Sequence, residues 1–153
     1  MSPALGRLLY RVLIPILSRL PWWSHRRVRG VILCGQQVLL IKTWMSSQSW
    51  SVPGGGAHPN ETDADAIARE VREETGIAID SSEFFCVGKL FDARLGDVWP
   101  IYSAVITEAI LPPMQFPYNF EIMDRSWFDL EALPADVPDI YRTAIELALD
   151  YKS

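Results

Sequence analysis

The chain predicts an α/β sandwich built around a mixed β-sheet, and three observations carry that expectation. Residues 28–34 (VRGVILC) and 37–44 (QVLLIKTW) are apolar, partly β-branched runs separated by Gly35 and Gln36, the signature of a β-hairpin. Residues 63–75 have helical periodicity between cap residues, and 139–151 place Ile140, Ala144, Leu147, Ala148 and Tyr151 on one side of a second helix. The remaining apolar runs mix with these irregularly and without a repeat, as in a layered α/β domain. A length of 153 residues suits one domain, and 49% hydrophobic with 22% charged residues is globular composition that disfavours disorder.

In chain order, residues 1–24 read as an amphipathic helical extension and residues 25–153 as the domain. Within 4–20 the positions are mostly apolar, with Arg7, Ser18 and Arg11 in a narrow polar stripe and a helix-breaking Pro15. Arginines interrupt this run, which disfavours a transmembrane span, and no small-residue cleavage site follows for a secretory signal. Two readings stand. One is a helix packed on its own domain or on a second subunit. The other is an in-plane membrane anchor, with Arg and the Trp22–Trp23 pair at the interface. After the hairpin, 45–60 is a Ser/Gly/Pro-rich loop. Strands are expected at 84–91 and 98–107, joined by a turn at Gly96–Asp97, and a short one at 126–129. Pro112, Pro113 and Pro117 make 108–120 a loop.

The net charge of −5 hides a split. Residues 1–30 hold six arginines and no acid, so the body carries −11. Such a body is a poor platform for charge-driven nucleic-acid binding. Cys34 and Cys86 cannot form a disulfide framework and read as reduced, buried thiols of a cytoplasmic protein.

The chemistry concentrates in residues 54–77, GGGAHPNETDADAIAREVREETGI. Thr62 is a good N-cap with Asp65 in the capping-box position, and Gly76 stands where a C-cap glycine belongs. On the helical wheel Glu74 lies about 40° and Glu73 about −60° from Glu70, so three carboxylates share a face. Ile67, Val71, Ala64 and Ala68 form the expected buried face. Arg69 is one turn before Glu73 and suited to pair with it. Clustered carboxylates repel and raise one another's pKa unless a cation sits among them; Mg²⁺ is commonly held by a few carboxylates plus substrate phosphates. The glycine run allows backbone to approach closely. The residues thus suggest a Mg²⁺–phosphate site, with a plain solvated acidic face as the alternative.

Gly55, five residues, Glu61, seven residues, then REVREETGI (69–77) fill every position of the Nudix box. The chain resembles the Nudix hydrolases over roughly residues 26–151, with WSVPGGG (50–56) as lead-in and SWFDLEALP (126–134) like the family's late strand and turn. The resemblance implies a mixed sheet between helices, with the box as loop–helix–loop. It implies Mg²⁺, or Mn²⁺, and water attack on phosphorus in a nucleoside diphosphate linked to another moiety. It makes Glu70, Glu73 and Glu74 metal ligands, with the Gly55 carbonyl a candidate further ligand. Arg69 becomes the residue that orients Glu73 or Glu61, and Glu61 a loop brace. The family's general base varies between a box glutamate and a later loop; here the later candidate is Glu121, with Asp124 second. Two alternatives remain open at this point: a non-catalytic nucleotide sensor, and a pyrophosphohydrolase acting on RNA 5′ ends. Many members are dimers, for which residues 1–24 offer an interface, as they do for a membrane surface or another partner. His58 reads as a surface residue and Trp50 as an anchor under the glycine loop. Lys42, Trp44 and Arg29 read as packing or solvated residues within reach of a nucleotide.

Overall fold

The structure is a computed structural model that describes residues 26–44, 49–93, 96–113 and 121–152. The N-terminal extension lies outside the described residues. The elements are β1 (Arg29–Cys34), β2 (Gln37–Thr43), α1 (Asp63–Thr75), a 3₁₀ turn (Ser81–Glu83), β3 (Phe85–Asp92), β4 (Asp97–Val105), β5 (Ile122–Asp129) and α2 (Asp139–Lys152). The strands form one sheet in the order β3-β4-β1-β2-β5. β1 runs parallel to β4, and every other neighbour pair is antiparallel, so the sheet is mixed as expected.

Residue chemistry explains these choices. Gly35 takes φ 57 at the first position of the two-residue turn, where glycine relieves the strain of a tight hairpin. In β1 and β2 the residues are buried on both faces, because each side of the sheet carries a helix. One face holds Val28, Ile32, Leu39 and Ala104 against Ala66, Ile67 and Val71 of α1. The other holds Val31, Leu33, Leu40, Trp99 and Ile101 against Tyr141, Ala144, Ile145 and Ala148 of α2. Each fully buried large apolar side chain contributes roughly 1.5–3 kcal/mol, so these two layers dominate stability.

Several expectations need correction. β5 begins at Ile122, not Ser126. Asp124 and Arg125 disguise the strand, which is an edge strand where charged residues are normal. β4 ends at Val105. Ala66 is buried on α1, whereas Ala64 and Ala68 are only half covered. The thiols are not buried: Cys86 is exposed and Cys34 half-exposed. Cys86 sits on edge strand β3, in the exposed part of its alternating burial pattern. Among the described residues, no helix is long and apolar enough to cross a membrane.

Candidate active site

The site begins with a loop sewn to the start of β1. Gly30 N–H donates to Pro53 carbonyl, Val28 N–H to Gly55 carbonyl and Ala57 N–H to Arg26 carbonyl, each at 2.9 Å. Trp50 anchors the loop from below, packed edge-on to Phe128 with ring centroids 4.6 Å apart. Gly54 has φ 142, and a Cβ there would lie 2.3 Å from the Val28 carbonyl oxygen, so only glycine fits. At Gly55 a Cβ would fall 2.5–2.8 Å from the Glu70 carboxylate. The missing side chain is therefore what lets the carboxylate and the loop backbone meet.

α1 delivers the other half. Thr62 Oγ1 accepts the Asp65 N–H at 3.1 Å, and Gly76 closes the helix at φ 77 with its N–H on the Arg72 carbonyl. The helix lies close to the sheet because Gly30 offers no Cβ to Ile67, whose side-chain carbons lie 2.7 and 2.8 Å from where one would stand.

Arg69 is the hub. Its Nε and Nη2 grip the two oxygens of Glu61 at 2.9 and 3.1 Å, a bidentate pair. Nη2 also donates to the Gly56 carbonyl at 2.9 Å, and Nη1 to Glu70 at 2.9 Å and Glu73 at 3.3 Å. Glu61 in turn accepts the His58 N–H at 2.8 Å, which closes the loop on itself. The hydrogen bonds from Arg69 hold the Glu61 carboxyl below its ordinary value. Burial opposes the charge on Arg69, but Glu61 and Glu70 outweigh it and raise the guanidinium pKa.

The remaining carboxylates carry more charge than their surroundings balance. Glu70 is raised, first by burial, with Arg69 opposing and Glu73 adding to the effect. Glu74 is raised well above the usual range by burial and then by Glu70; the Gly54 N–H, donating at 2.8 Å, opposes. Glu121 lies at the head of β5, its carbonyl accepting the Trp44 N–H at 3.2 Å. Its carboxyl is raised by burial and by the charges of Glu70 and Glu73. The structure thus gathers Gly55, Arg69, Glu70, Glu73, Glu74 and Glu121. Asp124 is exposed and accepts its neighbour's backbone N–H, away from this group.

Arg29 and Lys42 lie at the same end of the sheet. Arg29 donates to the Gly54 carbonyl and stacks over Trp99 at 4.6 Å, and its charge favours ionised Glu70 and Glu74. Lys42 pairs with Asp136 at 2.9 Å and sits over the Trp50 ring at 4.7 Å. His58 is exposed, as expected. On the α2 side a cavity of about 500 Å³ opens between the end of β3 and the start of α2, lined by Leu90, Phe91, Asp92, Pro138, Asp139 and Thr143. The Gly54 amide and the Gly56 carbonyl are the parts that spacing alone misses, since both act through backbone; the glycine run was their only signal.

Comparison with known proteins decides what this loop–helix unit is. The family model described as the NUDIX domain matches residues 24–147. The chain belongs to the Nudix family. Among its relatives, subunit 2 of the mRNA decapping complex of Schizosaccharomyces pombe is 42% identical over 116 residues, covering 70% of this chain and 15% of that protein. Diphosphoinositol polyphosphate phosphohydrolase 2 of Rattus norvegicus is 46% identical over 95 residues, covering 62% of this chain and 51% of that protein. The crystal structure of a MutT/Nudix family protein from Enterococcus faecalis superposes with a TM-score of 0.68 at 23% identity, covering 99% of this chain and 74% of that one, a likeness of fold. This Nudix chain therefore spans about half or less of the length of these two relatives.

The donor set fits a divalent metal in its chemistry. It is all oxygen, and burial and mutual repulsion disfavour the charge on Glu70, Glu74 and Glu121, which a hard cation would relieve. Among the described residues no three such side chains converge as they stand. Glu70 is turned to Arg69 and Glu74 to the Gly54 amide, so these bonds fix where the two carboxylates stand.

Proposed function

We propose that this Nudix protein is a metal-dependent hydrolase that cleaves the diphosphate linkage of a nucleoside diphosphate joined to another moiety, by attack of water on phosphorus. The observation that carries this reading is a group of shielded carboxyls with carboxylate charge around them: burial raises Glu70, Glu74 and Glu121, Glu73 adds to the shift of Glu70, Glu70 and Glu121 to that of Glu74, and Glu70 and Glu73 to that of Glu121. Glu70, Glu73 and Glu74 would hold Mg²⁺ or Mn²⁺, joined by the Gly55 carbonyl, which has one lone pair left after the Val28 N–H. When bound, such a cation would supply Lewis-acid chemistry: it would offset the charge of the diphosphate and of the leaving oxygen and make water more acidic. Glu121 takes the proton from water; a raised carboxyl pKa suits a base working near neutral pH. Arg69 keeps Glu70 and Glu73 in place against the Glu61 brace.

The test is the Glu73→Gln/Glu74→Gln double variant. An enzyme loses turnover with it. If the wild type binds nucleotide without metal, the double variant binds it equally and neither turns it over, the protein is a sensor instead. A second reading, hydrolysis at RNA 5′ ends, draws on the likeness to the decapping subunit and on the basic residues 1–30, which join the domain beside the glycine loop. Preference for 5′-triphosphorylated RNA over free nucleoside triphosphate would establish it. For residues 1–24 our reading is packing on the domain or on a second subunit. A chain beginning at Ser24 that stays monodisperse, with unchanged stability and vesicle sedimentation, would refute both docking and membrane roles.

A further inference from the structure

A side chain outside the box reaches the end of the helix that carries it. Arg125 projects from β5 and donates through Nη1 to the carbonyl of Thr75, the last residue of α1. Through Nη2 it donates to the carbonyl of Pro112, in the segment that follows β4. One guanidinium therefore ties three separate stretches of chain. It also fills the space beside Gly76, where a Cβ would lie 3.4 Å from both Nη1 and Pro112. A cation at this place meets the negative end of the helix dipole and a carbonyl that the helix itself leaves open.

What lies on either side of this clamp matters more than the cap. Glu73 and Glu74 precede Thr75 immediately on α1, and Glu121 stands one residue before β5, the strand that carries Arg125. The opposite side of the carboxylate group is already held, by Arg69 on Glu61 and the Gly56 carbonyl and by Glu74 on the Gly54 amide. Those bonds fix α1 to the glycine loop. None of them fixes α1 relative to β5, and it is across that gap that Glu121 faces Glu70 and Glu74.

We propose that Arg125 is a positioning residue: by clamping the C-terminus of α1 to β5, it sets the placement of Glu73 and Glu74 relative to Glu121. The inference rests on the reading that these carboxylates form the hydrolytic site. A short anchor suits the task, because a guanidinium offers several donors in one rigid plane and can hold two carbonyls at a fixed angle. Lysine, with a flexible stem and a point charge, would keep the charge at the helix end but not the fork.

The test compares Arg125→Ala and Arg125→Lys with the wild type, each well below its melting temperature. One readout is Mn²⁺ affinity of the protein alone, by electron paramagnetic resonance; the others are kcat and KM on the best substrate. Positioning predicts that Arg125→Ala weakens Mn²⁺ binding and lowers kcat by about 10- to 100-fold, as loss of a residue supporting metal ligands does, with KM little changed. Arg125→Lys falls between, and added guanidinium ion recovers part of the loss in the alanine variant. If either variant loses only thermal stability while Mn²⁺ affinity and kcat stay at wild-type values, Arg125 is a helix cap and the proposal is wrong. If the alanine variant does not fold, the lysine variant carries the same comparison. A wild type that neither binds Mn²⁺ nor turns over any substrate would instead remove the carboxylate site itself, and the positioning role with it.

Discussion

A methyl group at position 55 would stand where the Glu70 carboxylate now lies, at 2.5–2.8 Å. Gly55→Ala should therefore displace a proposed metal ligand while leaving both helix layers intact. A displacement near 1 Å at a reacting centre costs on the order of 10²-fold in rate, so kcat/KM should fall by about that much while circular dichroism is unchanged. Glu74 offers the converse. Its carboxyl is pushed up by burial and by Glu70, so the ionised form strains the fold, and its bond to the Gly54 amide and the charge of Arg29 offset this only in part. Glu74→Gln keeps an oxygen for that amide and removes the charge. It should abolish turnover yet stabilise the metal-free protein, in the range of about 0.5–2 kcal/mol typical of relieved functional sites. Calorimetry in the presence of a chelator checks it.

At the scale of the element, α1 is a helix whose two ends are both specified. Thr62 caps the start and Gly76 the end, in a left-handed conformation that L residues disfavour by roughly 1–2 kcal/mol. Gly76→Ala should lower the melting temperature by about 2–8 °C, at the usual 2–4 °C per kcal/mol for a chain of this size. Its effect on kcat reports how far the helix end also positions Glu73 and Glu74. This element was the most legible part of the sequence, since caps, periodicity and carboxylate spacing all pointed to Asp63–Thr75. What stayed hidden was the state of its acidic face. Wheel geometry groups Glu70, Glu73 and Glu74 but cannot say that the loop from Trp50 to Ala57 folds over them and buries Glu70 and Glu74. β5 was half hidden for a related reason: its charged Asp124 and Arg125 are tolerated because the strand is at the sheet edge, which only topology reveals. Arg125 bonds to a residue fifty positions away, a relation no local pattern encodes. Cys86 was misjudged in the same way, since its exposure depends on how far α1 extends across the sheet.

For the whole molecule, the opposed pKa shifts set a pH dependence. Glu61 has a lowered pKa, so its pair with Arg69 stabilises the fold above the ordinary value of 4.5 and is lost as pH falls through its depressed folded value. Glu70, Glu74 and Glu121 are raised above 4.5, so between that value and their folded values the native state binds more protons than the unfolded one. There stability falls as pH rises. In a chelator, these three acids should thus make the melting temperature decline as pH rises from 4.5 through their folded values, and Mg²⁺ should recover the loss by binding the native state. A chelated protein whose stability rises smoothly to neutrality would show that the three acids are not strained. The division of charge, +6 in residues 1–30 against −11 in the body, places this acidic site in a domain whose own carboxylates would repel a polyphosphate unless metal intervenes.

That dependence is the central claim, and a hydrolysis screen tests it most directly. The panel comprises nucleoside triphosphates, nucleotide sugars, ADP-ribose, dinucleoside polyphosphates, a diphosphoinositol polyphosphate and 5′-triphosphorylated RNA, each with Mg²⁺, Mn²⁺ and excess chelator. The account predicts turnover of at least one member with metal, cleavage at a phosphorus–oxygen–phosphorus bond, and loss of that turnover with chelator and with Glu73→Gln/Glu74→Gln. Turnover that survives the chelator and the double variant, or none on any member while metal is demonstrably bound, would contradict it.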